Sequence, residues 1–191
     1  MNCFKLPEGY ALVREVDLMR NKKLAVWVNV LGALILLAMI PLGLLAQPEN
    51  ASLFSGGMLR TLARLLALFA AIAAYMALHE LTHSVFIRLF CGKWAKLGFN
   101  GLYAYAGRTD AYFTKLHYGI IALSPVVLWG AALAALCRVC PPAWFWPVYI
   151  LQMINISGAA GDFYVTALLC RLPQGTLCND EGTRMRFFAR V

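Results

Sequence analysis

Residues 61–90 read TLARLLALFAAIAAYMALHELTHSVFIRLF, and from 65 to 78 every side chain is apolar or aromatic. A helix that is apolar all round must be buried, either in a large core or in lipid. The whole chain favours lipid: of 191 residues, 61% are hydrophobic and 14% charged, with a mean hydropathy of +0.67. A soluble domain carries about a quarter charged residues. About 20 apolar residues cross the hydrocarbon layer as helix, and four stretches qualify, near 24–46, 61–90, 116–137 and 143–172. The second and fourth are longer than a span requires and contain polar residues, so they can tilt, break or project beyond the membrane. These runs predict an all-α membrane fold of four transmembrane helices, in a single polytopic domain covering 1–191.

The connections orient that bundle. Lys5, Arg14, Arg20, Lys22 and Lys23 precede the first span, Lys93, Lys96, Arg108 and Lys115 lie between the second and third, and Arg171, Arg184, Arg186 and Arg190 follow the fourth. The excess of basic residues in these connections places them, and both termini, on the cytoplasmic side. A net charge of +8 is explained by this bias, so nucleic acid is not expected as a partner; the lipid bilayer is. The first apolar run is long enough to span and follows a mixed-charge segment, which makes it an anchor rather than a cleaved signal. Cys137-Arg-Val-Cys140 is the one C-x-x-C spacing, read as apolar fillers or a disulfide at an oxidising surface before any metal or redox role.

In the connection 91–115, Leu97-Gly-Phe99-Asn100-Gly101-Leu102-Tyr-Ala-Tyr105 sets Asn-Gly between apolar and aromatic residues. That is a short hairpin signal, and a hairpin edge could accept a substrate as an added strand. Tyrosines resting at headgroup level explain the same residues equally well.

An ionisable residue within a span is a functional candidate by default. Of nine acidic residues, only Glu80 and Asp162 fall within the spans. His79-Glu80-Leu81-Thr82-His83 is an H-E-x-x-H sequence, and on a helix it sets two imidazoles one turn apart on one face, suited to one zinc ion. Glu80 lies about 100° around the helix from His79, within reach of a water at the metal, as a general base and then acid. Catalytic zinc takes three protein ligands and keeps one position open. Asp162 is the candidate third ligand, because its distance from Arg171 matches that of His79 and His83 from Arg88. An ion pair with Arg88 or a hydrogen bond orienting a histidine are its alternatives, and His117 is a competing ligand. The small residues of Asn155-Ile-Ser157-Gly158-Ala-Ala-Gly161-Asp162 allow helices to approach closely or to break around a cavity.

At these residues, over roughly 75–172, the chain resembles the putative zincin peptidase family of small bacterial membrane proteins and, more distantly, the site-2 protease intramembrane metalloproteases. In the latter, one helix carries H-E-x-x-H and a later one an aspartate in an L-D-G context preceded by an asparagine. The matching positions here are His79, Glu80, His83, Asp162 and Asn155, although Phe163 stands where glycine is expected. The resemblance implies a bacterial cytoplasmic-membrane location and a substrate-binding or oxyanion-polarising role for Asn155, whose alternative is an interhelical hydrogen bond. Ser124-Pro125 resembles a further small-residue-proline element of that superfamily.

Together these readings lead us to expect a zinc-dependent intramembrane metalloprotease. It would hydrolyse peptide bonds of membrane-embedded or membrane-adjacent segments of a peptide or membrane-protein substrate. A non-catalytic zinc-binding scaffold, or a metal or proton transporter, would use the same residues. Four spans without an inverted repeat disfavour the transporter, and a scaffold has no need of Glu80.

Overall fold

Each apolar run forms helix, and strands form before the first run, between the second and third, and after the fourth. The computed structural model describes residues 4–99 and 104–190. In chain order it contains β1 (Tyr10–Asp17), α1 (Lys22–Ala46), α2 (Met58–Cys91), β2 (Lys96–Phe99), β3 (Ala104–Thr114), α3 (Lys115–Val139), α4 (Pro142–Gly158), α5 (Ala160–Arg171), β4 (Leu177–Asp180) and β5 (Arg184–Arg190). α1, α2, α3 and the α4–α5 pair make four stretches long and apolar enough to cross a membrane. Their side chains are dressed for lipid: Leu45 is 84% exposed, Met58 89% and Leu59 80%. Water would charge roughly 25 cal/mol for each Å² of such surface.

The expectation of an all-α fold is overturned by a five-stranded antiparallel sheet in the order β1-β5-β4-β3-β2. Its first and second strands come from opposite ends of the chain, with Tyr10 paired to Arg190 and Asp17 to Arg184. The basic residues that read as topological signals also serve this sheet. Arg184 pairs with Glu15 at 2.7 Å, and Arg186 pairs with Glu181. The expected hairpin is present as the β2–β3 pair, Lys96 to Gly107 and Phe99 to Ala104; its Asn100-Gly101 turn lies outside the described residues.

The chain divides into two compact units. The first comprises Met1–Val28, Ala77–Ser124 and Gly161–Val191. Its core packs Ile87 and Ile121 of the helices against Phe113, Cys178 and Phe187 of the sheet, all essentially inaccessible. The register of β3 against β4 shifts between Arg108 and Phe113. The buried Asn179 side chain repairs that irregularity by donating to the carbonyls of Thr109 and Ala111 at 3.0 and 2.9 Å, which leaves fewer buried carbonyls without a donor. Gly107 makes room for a backbone: a Cβ there would lie 2.2 Å from the nitrogen of Gly182.

The second unit comprises Asn29–Met76 and Pro125–Ala160. Met39, Phe145, Tyr149 and Met153 form its core, and the Tyr149 hydroxyl donates to the Met39 carbonyl at 2.7 Å. The ring of Tyr149 occupies the space that a Cβ on Gly43 would need. α1 approaches α4 equally closely at Gly32, where a Cβ would sit 2.9 Å from the Ser157 carbonyl oxygen. Cys137 and Cys140 are free thiols here, the Cys140 sulfur lying 3.8 Å from the Cys137 carbonyl oxygen.

Candidate metal centre

α2 carries His79 and His83 on one face, as their spacing requires. Their rings meet edge to face at 4.8 Å between centroids. With Glu80 they form a group whose potential ligand atoms all lie within 4.8 Å of one another and could hold a metal ion.

A break in the fourth apolar stretch sets the second wall. α4 ends at Gly158, Ala159 interrupts the helix, and α5 starts at Ala160, so that Asp162 falls in the first turn of α5. A carboxylate is the favourable sign at that end of a helix. From there one oxygen of Asp162 lies 3.5 Å from Nε2 of His79, and the other lies 3.7 Å from Nε2 of His83. Both separations exceed the range of about 2.7–3.2 Å for a hydrogen bond from nitrogen to oxygen. They are close to the roughly 3.4 Å between two donors that each sit about 2.1 Å from a tetrahedral ion. The spacing therefore suits co-ligands better than an acid hydrogen-bonded to an imidazole.

The local chemistry of α3 fixes the His83 ring. Nδ1 of His83 lies 2.9 Å from the Ile121 carbonyl oxygen. A carbonyl only accepts, so Nδ1 must carry the proton, which leaves the lone pair on Nε2, facing Asp162. That carbonyl is available because of the proline four residues on. Pro125 has no N–H to return to Ile121 in the usual helical bond. The vacancy is filled by the His83 ring and by the Ser124 hydroxyl, which donates to the same oxygen at 2.8 Å. Ser124-Pro125 is thus tied to the centre through a backbone atom.

Glu80 is steadied by the sheet, since the backbone N–H of Ala106 in β3 donates to its carboxylate. Within the same unit, the Tyr118 hydroxyl donates to the buried Asp180 carboxylate at 2.5 Å, and the Gly182 N–H donates to its other oxygen at 2.6 Å. Burial pushes the Asp180 carboxyl up to about 6, against the pull of those two donors. An acid so raised favours the folded state while protonated, and that contribution is lost as pH climbs from the ordinary carboxylate range through about 6.

The alternatives weighed for these residues are engaged elsewhere. Arg88 lies over the Trp94 ring at 4.4 Å, and His117 stacks on Phe90 at 4.3 Å. Among the described residues, the ion-pair partners of Asp162 are the two histidines. Asn155 belongs to the second unit and is fully buried. It accepts from the Tyr75 hydroxyl at 2.6 Å, and its amide donates to the Val126 carbonyl at 3.4 Å and to Gln152 at 3.3 Å. Ile121 and Ala106 had no signal in the sequence, because both act through main-chain atoms.

Residues 72–177 match the sequence profile of a family described as putative zincin peptidase. No curated protein and no solved structure matches the chain.

Proposed function

The chain belongs to the putative zincin peptidase family, and on that premise we propose that it is a zinc-dependent peptidase cutting membrane-embedded or membrane-adjacent polypeptide. The family implies zinc, and the convergence of His79, His83 and Asp162 at 3.5–3.7 Å, with the His83 tautomer set by Ile121, is the observation that carries the proposal. His79, His83 and Asp162 would hold the ion, and zinc there would supply a Lewis acid that polarises a carbonyl and acidifies water.

Glu80 takes the proton of the attacking water as its oxygen bonds to the scissile carbonyl carbon. When the C–N bond breaks, Glu80 passes that proton to the departing nitrogen. The Ala106 N–H keeps its carboxylate aimed through both transfers. β2 is the edge of the sheet, with Leu97 and Phe99 exposed, and suits the pairing of an extended substrate strand. Asn155, whose amide is already engaged by Tyr75, Val126 and Gln152, fits the interhelical role better than contact with substrate.

The arrangement of strands supports placing both termini on one side of the membrane. β1, β3 and β5 belong to one sheet, so an even number of crossings must separate each from the next; α1 with α2, and α3 with the α4–α5 stretch, supply them. The basic residues argue that this side is cytoplasmic.

The test is cleavage of a fluorescence-quenched apolar peptide by the detergent-purified chain. A zinc chelator should abolish cleavage, and zinc should restore it where magnesium does not. Cleavage indifferent to chelation would overturn the zinc chemistry, and a zinc-loaded chain that cleaves no membrane peptide would favour the scaffold.

Pro125→Ala supplies a sharper check on His83. The new N–H would compete for the Ile121 carbonyl, weakening zinc retention toward the tenfold lower end of the loss seen when outer partners of metal ligands are changed. The helix itself should gain, since an interior proline costs about 3 kcal/mol. Weaker zinc binding in a metal-free chain that melts no earlier than wild type is the expected split, read by zinc titration and thermal unfolding. Unchanged zinc affinity would remove the carbonyl from the centre.

A further inference from the structure

On the first unit, a cavity of about 530 Å³ opens where β1 ends and α1 begins, with Tyr164 of α5 also in its lining. Arg14, Arg20, Lys22 and Lys23 line it, and all four are exposed. Among the described residues, none of them forms an ion pair. Two acids share the cavity, and they differ in what they face. Glu15 is bound to Arg184 at 2.7 Å. Oδ1 of Asp17 accepts the N–H groups of Met19 and Arg20, each at 3.0 Å, and so shapes the turn that gathers the basic residues. Asp17 keeps its charge, so the result is a concave site in which four basic side chains face one carboxylate that, among the described residues, no cation outside the cavity neutralises, a clear positive excess.

Its place in the chain says what anion it meets. Lys22 and Lys23 are the first two residues of α1, a 25-residue apolar helix. Trp27, 72% exposed and one turn further on, is the kind of side chain that rests at headgroup level. Four Lys or Arg residues immediately outside a membrane helix attract anionic lipid, and here they surround a hollow rather than a flat surface.

We propose that this cavity binds the phosphate of an anionic phospholipid headgroup, whose acyl chains lie along the start of α1. Arg14 and Arg20 offer planar donor forks to the phosphate oxygens, and Lys22 and Lys23 add compact charge at the depth where α1 enters the bilayer. The site requires α1 to lie in a membrane and is independent of the peptidase reading.

The experiment reconstitutes the full chain in nanodiscs of phosphatidylcholine, with and without phosphatidylglycerol, and counts retained lipid by native mass spectrometry. Phosphatidylglycerol should be retained in preference by wild type. Arg20→Gln with Lys23→Gln should weaken that retention roughly 25-fold, at about fivefold per charge. Lys93→Gln with Lys96→Gln, which removes equal charge from the 91–115 connection, should leave it near wild type. Equal loss in both double variants would show diffuse attraction and overturn the site, as would a wild type without lipid preference. Thermal unfolding in pure phosphatidylcholine checks that the variants fold, and Arg14→Gln alone replaces the first pair if it does not. Protection of the lipid-free chain in detergent by inorganic phosphate, without any preference among lipids, would assign the cavity to a soluble anion instead.

Discussion

Glu80→Gln is expected to keep about one zinc per chain and to lower peptide hydrolysis by about 10²–10⁴-fold, the usual contribution of a positioned general base. Glutamine has nearly the shape of glutamate and still offers an oxygen to the Ala106 N–H, so the β3 contact and the local fold survive. It cannot take a proton from water at neutral pH. Zinc content measured beside the cleavage rate therefore separates the two functions that could explain this centre. Zinc retained with hydrolysis lost identifies a peptidase base. Hydrolysis retained would remove Glu80 from the reaction, and a wild-type chain that holds zinc without cleaving would return the centre to a scaffold role.

His79→Ala and Asp162→Ala should each lower zinc affinity by more than the roughly 10–100-fold that changes to outer partners cost, because each deletes one of three proposed donors. The Asp162 variant is the more informative. Its oxygens face both Nε2 atoms at 3.5 and 3.7 Å, so its loss removes the anionic member of the set and leaves two neutral imidazoles. Zinc titration of the two purified variants reads the effect, with thermal unfolding of the metal-free chains as the check on folding. Wild-type affinity in Asp162→Ala would mean that another donor completes the set and that the 3.5–3.7 Å spacing is incidental.

The four apolar runs were legible because a membrane helix must be apolar over its length, and each of the proposed stretches is helical. The break at Ala159 was legible only as a possibility opened by Ser157, Gly158 and Gly161. The sheet was not. β4 is the four-residue segment Leu177–Asp180, too short for alternation to stand out, and β5 interleaves arginines with Phe187 and Phe188. Nothing local to Tyr10 announces that its partner is Arg190. At the centre, residue types that are costly in lipid identified His79, Glu80, His83 and Asp162 as candidates. The contacts that orient them came from main-chain atoms of Ile121 and Ala106, groups that every residue except proline carries in full and that no side-chain pattern reveals.

The pairing of β1 with β5 also bears on the order in which the molecule assembles. β1 is made before α1 to α5, yet it lies at the sheet edge with β5 as its neighbour. Its row of amides must wait through the synthesis of α1 to α5 before a partner strand exists. Contacts between segments so distant in sequence are slow to form, because the loop that they close is long. Docking of β5 should therefore be a late, cooperative step, and a chain interrupted before Arg184 would leave an unpaired strand edge open to other chains.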